Sequence, residues 1–315
     1  RRKDYETYVT DYFRPIAKET RVRRKSSLNS ASSEIIIDGN PKMRSRGTSN
    51  AERVEKNIVE ELFSKDLFLW ELIDKDTRRT QTKLDFCQKE TEFPLKSEEE
   101  EHAENHSYVL SRILFIYAKL NPGDQYVQGM NEILAPIYYV FSKDPNPMFK
   151  GHAEADSFYC FTNLMDELRD TFVSNQDNKE KGIFSRIKEF SDLFKKIDKP
   201  LWSHLDKYQI SPQYYSLKWL MLLLAQEFPM NDLLVVWDEL VSHPRRLSYI
   251  NFLCVAMVYN IRDSIISDSD FSSLMEKLQN KTNKDVDKIR ATAFTFYKQY
   301  ERPELTAFHI VFPPQ

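Results

Sequence analysis

Glycine and cysteine are both scarce in this chain. Six glycines occur in 315 residues, and the cysteines are only Cys87, Cys160 and Cys254. An odd number of cysteines cannot all pair within one chain, and these three are far apart in sequence. We interpret them as reduced thiols, which predicts a cytoplasmic protein rather than a disulfide-stabilised secreted one.

Neither a charge excess nor a long apolar run is present. The 45 lysines and arginines nearly balance the 48 aspartates and glutamates, so the formal net charge is only -3. Such a balance gives no overall field that would attract nucleic acid. The longest strongly apolar run covers residues 219–225, far short of the roughly 20 residues that cross a bilayer. We expect no nucleic-acid partner and no membrane span.

The common nucleotide and catalytic signatures are missing as well. GxxxxGK[ST] and GxGxxG do not occur, so the chain lacks the backbone cradles that usually hold nucleotide phosphates. GxSxG, HExxH and CxxC are also absent. His102, Glu104 and His106 lie within one helical turn, but nothing nearby completes a metal-ligand set. We expect no metal and no cofactor bound by the chain itself.

A helical apolar pattern fills most of the sequence. Hydrophobic residues make up 41% of the chain and recur at intervals of three and four, the spacing of helices with one buried face. This pattern predicts an all-α protein. Helices are predicted at residues 5–12, 54–73, 109–120, 129–141, 158–172, 184–194, 214–228, 233–240, 249–261, 271–278 and 286–300.

Prolines predict where three of these helices begin or change direction. Pro15 should stop or bend the first helix, and Pro136 should bend the helix that begins near Gly129. Ser211 precedes Pro212, a pair typical of a capping residue and a first helical position.

Residues 20–50 differ from the rest in being rich in serine, arginine, lysine and asparagine. A segment this polar cannot recover the entropy lost on ordering. We therefore predict a disordered basic insertion, with a short strand possible only at residues 34–37. Ser26 follows two arginines and a lysine, which resembles a basophilic kinase site. A solvated loop, or contact of the basic cluster with anionic lipid or RNA, is the alternative.

The first candidate site lies in residues 73–79. Ile73 would anchor the segment to the core, and Asp76 would lie one helical turn from Arg79, where a carboxylate can steer a guanidinium group. The competing interpretation is a solvated helix end with ordinary surface ion pairs.

The second candidate site lies in residues 126–132, between a Pro-Gly turn and an apolar helix. Gln128 is flanked by Tyr126 and Gly129, and Asn131 follows. A glutamine held in this way is suited to orienting a water molecule, as an arginine is suited to neutralising developing charge on a phosphate. A helix cap or a surface amide is the ordinary alternative.

Together the two segments resemble the TBC domain family, whose members are GTPase-activating proteins for Rab GTPases. The family motif IxxDxxR matches Ile73, Asp76 and Arg79, and the motif YxQ matches Tyr126 and Gln128. Further family-like stretches lie at residues 112–123, 126–141, 158–165 and 216–240.

The resemblance implies a multi-helical TBC fold of two packed helical subdomains. We place the N-terminal helix of this domain at residues 1–19, before the insertion at 20–50. The subdomain that carries the arginine and glutamine fingers would span residues 51–185, and the C-terminal subdomain would span residues 186–315.

The resemblance also implies a function in vesicle trafficking. A GTP-bound Rab would bring GTP and Mg²⁺, while Arg79 and Gln128 complete the catalytic site from outside, supported by Ile73, Asp76, Tyr126, Gly129 and Asn131. Membrane contact would be indirect, through a Rab that recruits the cytoplasmic protein to endomembranes. The alternative is a non-catalytic Rab-binding scaffold or effector.

Three departures from the family pattern bear on this interpretation. An arginine-to-tryptophan motif usually found upstream of the arginine finger is missing. Gln125 stands where the family usually has glycine, and Lys218 stands where it usually has arginine. Lysine cannot make the two-pronged contacts of a guanidinium group.

Overall fold

The structure is a computed structural model. It describes residues 1–30, 50–80, 85–95, 104–123, 125–172, 182–280 and 284–301. Within these residues the chain is helical, without a β-strand, apart from one isolated antiparallel bridge between Glu90 and Asn105. The predicted all-α class is confirmed.

The described residues contain the following helices. They are α1 (Arg2–Tyr8), a π-helix (Val9–Phe13), α2 (Arg14–Ser30), α3 (Asn50–Thr77), a 3₁₀ helix (Asp85–Gln88), α4 (His106–Leu120), α5 (Met130–Ser142), α6 (Pro147–Lys150), α7 (Ala153–Phe172), α8 (Ile183–Ile197), α9 (Lys199–Lys207), α10 (Gln213–Met221), α11 (Met230–Ser242), α12 (Arg246–Tyr259), α13 (Arg262–Ile266), α14 (Phe271–Gln279) and α15 (Val286–Tyr300). The long predicted helices are confirmed with shifts of a few residues at their ends. The short helices α6, α9 and α13 were not predicted, because the apolar pattern of a helix repeats too few times within a short segment to be recognised.

One predicted helix is wrong over half its length. Residues 214–228 form α10 only as far as Met221, and Leu223 and Leu224 then adopt left-handed backbone angles, with φ of 49° and 65°. The indole of Trp237 donates a hydrogen bond to the carbonyl oxygen of Leu223 at 2.8 Å. A contact from a distant helix therefore holds the turn, and no local pattern could show it. The predicted serine cap is also wrong, because Pro212 is the N-cap and no side chain caps α10.

The N-terminal helices continue past the proline that was expected to stop or bend them. The π-helix before Arg14 closes with a bond from the Arg14 amide to the carbonyl oxygen of Val9, and α2 then runs through Pro15 to Ser30. A π turn is rare and occurs mostly as a single bulge within an α-helix, and this one lies directly before a proline, which has no amide hydrogen to donate. α5 likewise continues through Pro136, whose predicted bend stays a prediction.

The disorder predicted from residue 20 onward is wrong for residues 20–30, which lie in α2. Arginine, lysine and leucine are good helix formers, and this propensity extends the helix into the basic segment. Ser26 lies in α2, and its phosphorylation stays a prediction. The rest of the predicted insertion up to residue 49, with the strand considered at 34–37, lies outside the described residues.

The chain divides into two units, Arg1–Thr162 and Asn163–Gln315. The division falls within α7, earlier than the boundary predicted between residues 185 and 186. In the first unit, Trp70 is buried against the rings of Phe13, Tyr108 and Phe115. In the second unit, α12 is the most completely buried helix segment, and it packs against α8 and α15.

A buried ion pair network joins three helices of the first unit. The Arg112 guanidinium, on α4, is fully buried and donates to Glu154 Oε1 at 2.6 Å and to Glu104 Oε1 at 2.8 Å. The Tyr5 hydroxyl donates to the same oxygen of Glu154 at 2.7 Å. Burial alone would lower the pKa of Arg112, but the charges of Glu154 and Glu104 raise it well above its usual value. The network therefore ties α1 and α7 to α4.

Candidate functional site

Arg79 lies just beyond the C-terminus of α3. Its amide donates to the carbonyl oxygen of Asp76 at 3.0 Å, which tightens the last turn. Ile73 is fully buried near the end of α3 and anchors this helix end to the core. Thr77 is also fully buried, and its hydroxyl lies 2.6 Å from that of Ser111 on α4. These contacts fix the backbone that carries Arg79, while the Arg79 side chain itself is exposed.

Gln128 lies in the turn that leads into α5. The Met130 amide donates to the carbonyl oxygen of Val127 at 3.1 Å and closes this turn. Gly129 is the N-cap of α5 and has a φ of 110°, a backbone conformation that residues with a Cβ atom rarely adopt. Gln128 is exposed, whereas Tyr126 and Gly129 on either side of it are buried.

A buried hydrogen-bond network joins the two segments. The Tyr126 hydroxyl donates to Asp76 Oδ2 at 3.0 Å, and Asn131 Nδ2 donates to Thr80 Oγ1 at 2.8 Å. Asn131 Oδ1 accepts a bond from the Gly129 amide at 3.1 Å. The residues that flank Arg79 are therefore bonded directly to the residues that flank Gln128. Four predicted positions, Asp76, Tyr126, Gly129 and Asn131, are joined by these hydrogen bonds, while Ile73 is buried earlier on α3.

The Tyr126–Asp76 bond has a fixed direction. Burial, and then the charge of Asp76, raise the pKa of the Tyr126 hydroxyl well above its usual value. The phenol therefore stays protonated at physiological pH and remains the donor to the Asp76 carboxylate. This bond stabilises the contact between the end of α3 and the start of α5.

Asp76 does not pair with Arg79 as predicted. Its carboxylate accepts from Tyr126 instead, and the neighbouring Arg78 pairs with Asp74 at 2.9 Å. Within the described part of the chain, no ion pair or side-chain hydrogen bond involves the Arg79 guanidinium. The aspartate supports the backbone beneath Arg79 rather than its charged group.

Sequence reasoning missed Thr77, Thr80 and Ser111. Thr80 is buried directly after Arg79 and accepts from Asn131 while its hydroxyl donates to the carbonyl oxygen of Asp76 at 3.2 Å. Threonine is a poor helix former and often bonds to a nearby carbonyl, so two threonines at the end of α3 were the available signal. Their long-range partners depend on the fold.

Glu104 and His106, two of the three residues considered above as metal ligands, make other contacts. Glu104 pairs with Arg112, and the His106 ring stacks on Phe86 and lies 2.9 Å from the Tyr138 hydroxyl. Burial, and then the charge of Lys143, lower the pKa of His106 to about 4. His102 lies outside the described residues. Among the described residues, no group of three or more potential ligands is placed to hold a metal ion.

The two substituted family positions differ in their surroundings. Lys218 is exposed on α10, in the second unit. Gln125 lies at the entrance to the Tyr126–Gly129 segment with a φ of 50°, in the left-handed region. That conformation strains a residue with a Cβ by about 1–2 kcal/mol and does not strain glycine.

Replacing Gln125 by glycine should therefore stabilise the protein. We expect Gln125→Gly to raise the free energy of unfolding by about 0.5–1 kcal/mol, because relief of strain exceeds the added entropy of the unfolded chain. Gln125→Ala is the matched control and should give no gain, since alanine keeps the Cβ. Urea denaturation of both variants checks this, and a glycine variant less stable than the alanine variant would contradict it.

None of the helices in the described residues is long and apolar enough to cross a membrane.

The fold and the site define a class of protein. It is an all-helical domain in which a buried hydrogen-bond network joins a segment with an exposed arginine to a segment with an exposed glutamine. The family model described as Rab-GTPase-TBC domain matches residues 34–266. The chain belongs to this family.

Comparison with individual proteins agrees with this assignment. The chain is 45% identical to human TBC1 domain family member 13 over 186 residues, which cover 59% of this chain and 46% of that protein. It is 30% identical to human TBC1 domain family member 5 over 246 residues, covering 66% and 29% respectively. The chain thus spans less than half the length of these relatives.

A solved structure shows the same fold. The Ypt/Rab-GAP domain of Gyp1p superposes with a TM-score of 0.63 and 23% sequence identity, with 75% of each chain covered. The predicted TBC fold is confirmed.

Proposed function

We propose that this chain is a GTPase-activating protein that binds a GTP-loaded Rab-family small GTPase and accelerates its GTP hydrolysis in trans. The observation that carries the proposal is the buried network of Asp76, Tyr126, Asn131 and Thr80, which holds two exposed side chains of complementary chemistry on linked segments. Family membership supports the choice of partner, and the structural neighbour is itself named a Ypt/Rab-GAP domain.

Arg79 supplies the positive charge in this mechanism. As the bond to the leaving group lengthens, negative charge develops on the phosphate oxygens, and a guanidinium group placed against them stabilises the transition state. Arginine fingers in other GTPase systems accelerate hydrolysis by about 10³–10⁵-fold. The hydrogen bonds at the end of α3 favour this role, because a fixed backbone loses less conformational entropy when Arg79 contacts the phosphate.

Gln128 orients the attacking water. A side-chain amide can accept from and donate to one water molecule, and the glycine N-cap and buried Tyr126 hold the short turn that carries it. GTP and Mg²⁺ belong to the GTPase, and the chain contributes no cofactor of its own. The protein would act in vesicle trafficking, from the cytoplasm, at endomembranes to which the Rab recruits it.

Rab binding without catalysis is the second candidate. The observations that favour it are the strained Gln125 beside the Gln128 segment and the replacement of a family arginine by Lys218. A binding protein would keep the surface around Arg79 without needing either side chain for hydrolysis.

A single-turnover hydrolysis screen over purified, GTP-loaded Rabs separates these functions. We expect the wild-type chain to accelerate at least one Rab, and the double variant Arg79→Ala/Gln128→Ala to leave that Rab at its intrinsic rate. The single variant Gln128→Ala should slow hydrolysis while binding to a transition-state-like GDP complex weakens only modestly. Binding to a GTP-loaded Rab without acceleration of any would instead establish the non-catalytic function.

A further inference from the structure

Two large apolar side chains are exposed in the second half of α3. Phe68 is 70% exposed and Leu72 is 40% exposed. Lys75 is exposed after them on the same helix. We call Phe68, Leu72 and Lys75 the α3 strip.

The α3 strip leads along one face of α3 toward Arg79. Positions 68, 72, 75 and 79 follow one another at the three- and four-residue spacing of a single helical face. α3 ends at Thr77, the Arg78 amide still donates to the carbonyl oxygen of Asp74 at 3.2 Å, and a tighter turn then carries the chain to Arg79. The opposite face carries Trp70, Ile73 and Thr77, which are buried in the first unit.

Distance places the strip within reach of any protein bound at Arg79. With a rise of about 1.5 Å per residue, Leu72 lies roughly 10 Å and Phe68 roughly 16 Å from Arg79 along the helix. A standard interface covers about 800 Å² on each partner, which corresponds to a disc of roughly 16 Å radius. A GTPase that presents its γ-phosphate to Arg79 therefore extends over the strip.

We propose that the α3 strip is a docking surface for the GTPase and contributes to the choice of partner. It fits a Rab surface beside the nucleotide that offers apolar side chains bordered by acidic groups, because Phe68 and Leu72 would be desolvated while Lys75 meets the opposite charge. This inference rests on the proposed function, and it adds the surface chemistry of the partner. The strip acts in binding, while Arg79 acts in the transition state.

The double variant Phe68→Ala/Leu72→Ala tests this division of roles. Removal of contacts made equally in the bound and transition states raises KM and leaves kcat unchanged. We expect KM for the activated Rab, and Kd for its GTP-loaded form, to rise roughly 10-fold, because two apolar contacts between the centre and the edge of the interface are lost. Arg79→Ala should instead lower kcat.

Leu62→Ala is the matched control. Leu62 is 55% exposed on α3 but lies on a different side of the helix, more than four turns from Arg79. Its replacement should leave KM and Kd at their wild-type values. All the substitutions are at exposed positions, and circular dichroism melting confirms that the variants are folded.

The outcomes separate this inference from the proposed function. A wild-type chain that binds and activates a Rab, with unchanged KM and Kd in the double variant, overturns the docking role alone. A wild-type chain that binds without activating still tests the strip through Kd. If no Rab binds, both proposals fail. A wild-type dimer that the double variant converts to a monomer with unchanged KM identifies a second copy as the occupant and overturns the inference.

Discussion

Arg79→Lys should lower the single-turnover rate of activated GTP hydrolysis by at least about 10²-fold, despite keeping the positive charge. A guanidinium group can bond two phosphate oxygens through its planar fork, whereas an ammonium group acts as a single point charge. The loss should appear in kcat and not in the Kd for the GTP-loaded Rab, because the second contact is made only as the transition state forms.

Arg78→Lys provides the control for this experiment. Arg78 is the adjacent exposed arginine, and it pairs with Asp74 on the same helix. We expect it to retain the wild-type hydrolysis rate. Equal losses in both variants would show that positive charge at the end of α3, rather than the geometry of one guanidinium group, supports hydrolysis. An unchanged rate in Arg79→Lys would remove Arg79 from the mechanism.

Arg112→Met should be the most destabilising of the substitutions considered. It leaves the buried carboxylate of Glu104 and the partly buried carboxylate of Glu154 without the cation that compensates both. Breaking a buried ion pair in this way typically costs about 3–5 kcal/mol, a large part of the stability of a folded domain. The free energy of unfolding from urea denaturation measures the loss.

Two further variants identify the cause of that loss. Adding Glu104→Gln and Glu154→Gln to Arg112→Met should restore much of the stability, since neutral amides are far less costly to bury unpaired than carboxylates. Lys119→Met breaks the half-exposed pair with Asp66 and should cost no more than about 1 kcal/mol. An Arg112→Met variant as stable as Lys119→Met would show that the buried network contributes little.

The stability of this region bears directly on the candidate site. Arg112 follows Ser111, whose hydroxyl contacts Thr77 at the end of α3. α4 therefore carries both the ion pair network and one of the contacts that fix the backbone of Arg79. If α4 lost its structure, the contact from Ser111 that fixes Thr77 at the end of α3 would be lost as well.

The long helices could be predicted because each has a sustained apolar face. The predicted helix at residues 286–300 is confirmed by α15, which begins and ends at the same residues. The 214–228 prediction was wrong because residues 219–225 are an unbroken apolar run without helical periodicity. Such a run fits a buried turn as well as a buried helix, and the bond from Trp237 decides between them.

The sequence by itself determined the helical class, the family and the residue types of the candidate site, since periodicity and motif spacing are properties of neighbouring positions. Only the tertiary structure decided which of those residues form hydrogen bonds with each other. Asp76 binds Tyr126 rather than Arg79, and Thr80 joins the network through Asn131. These bonds cross about 50 positions of chain, and such pairings depend on how helices pack, because hydrogen-bond partners are chosen by proximity in space.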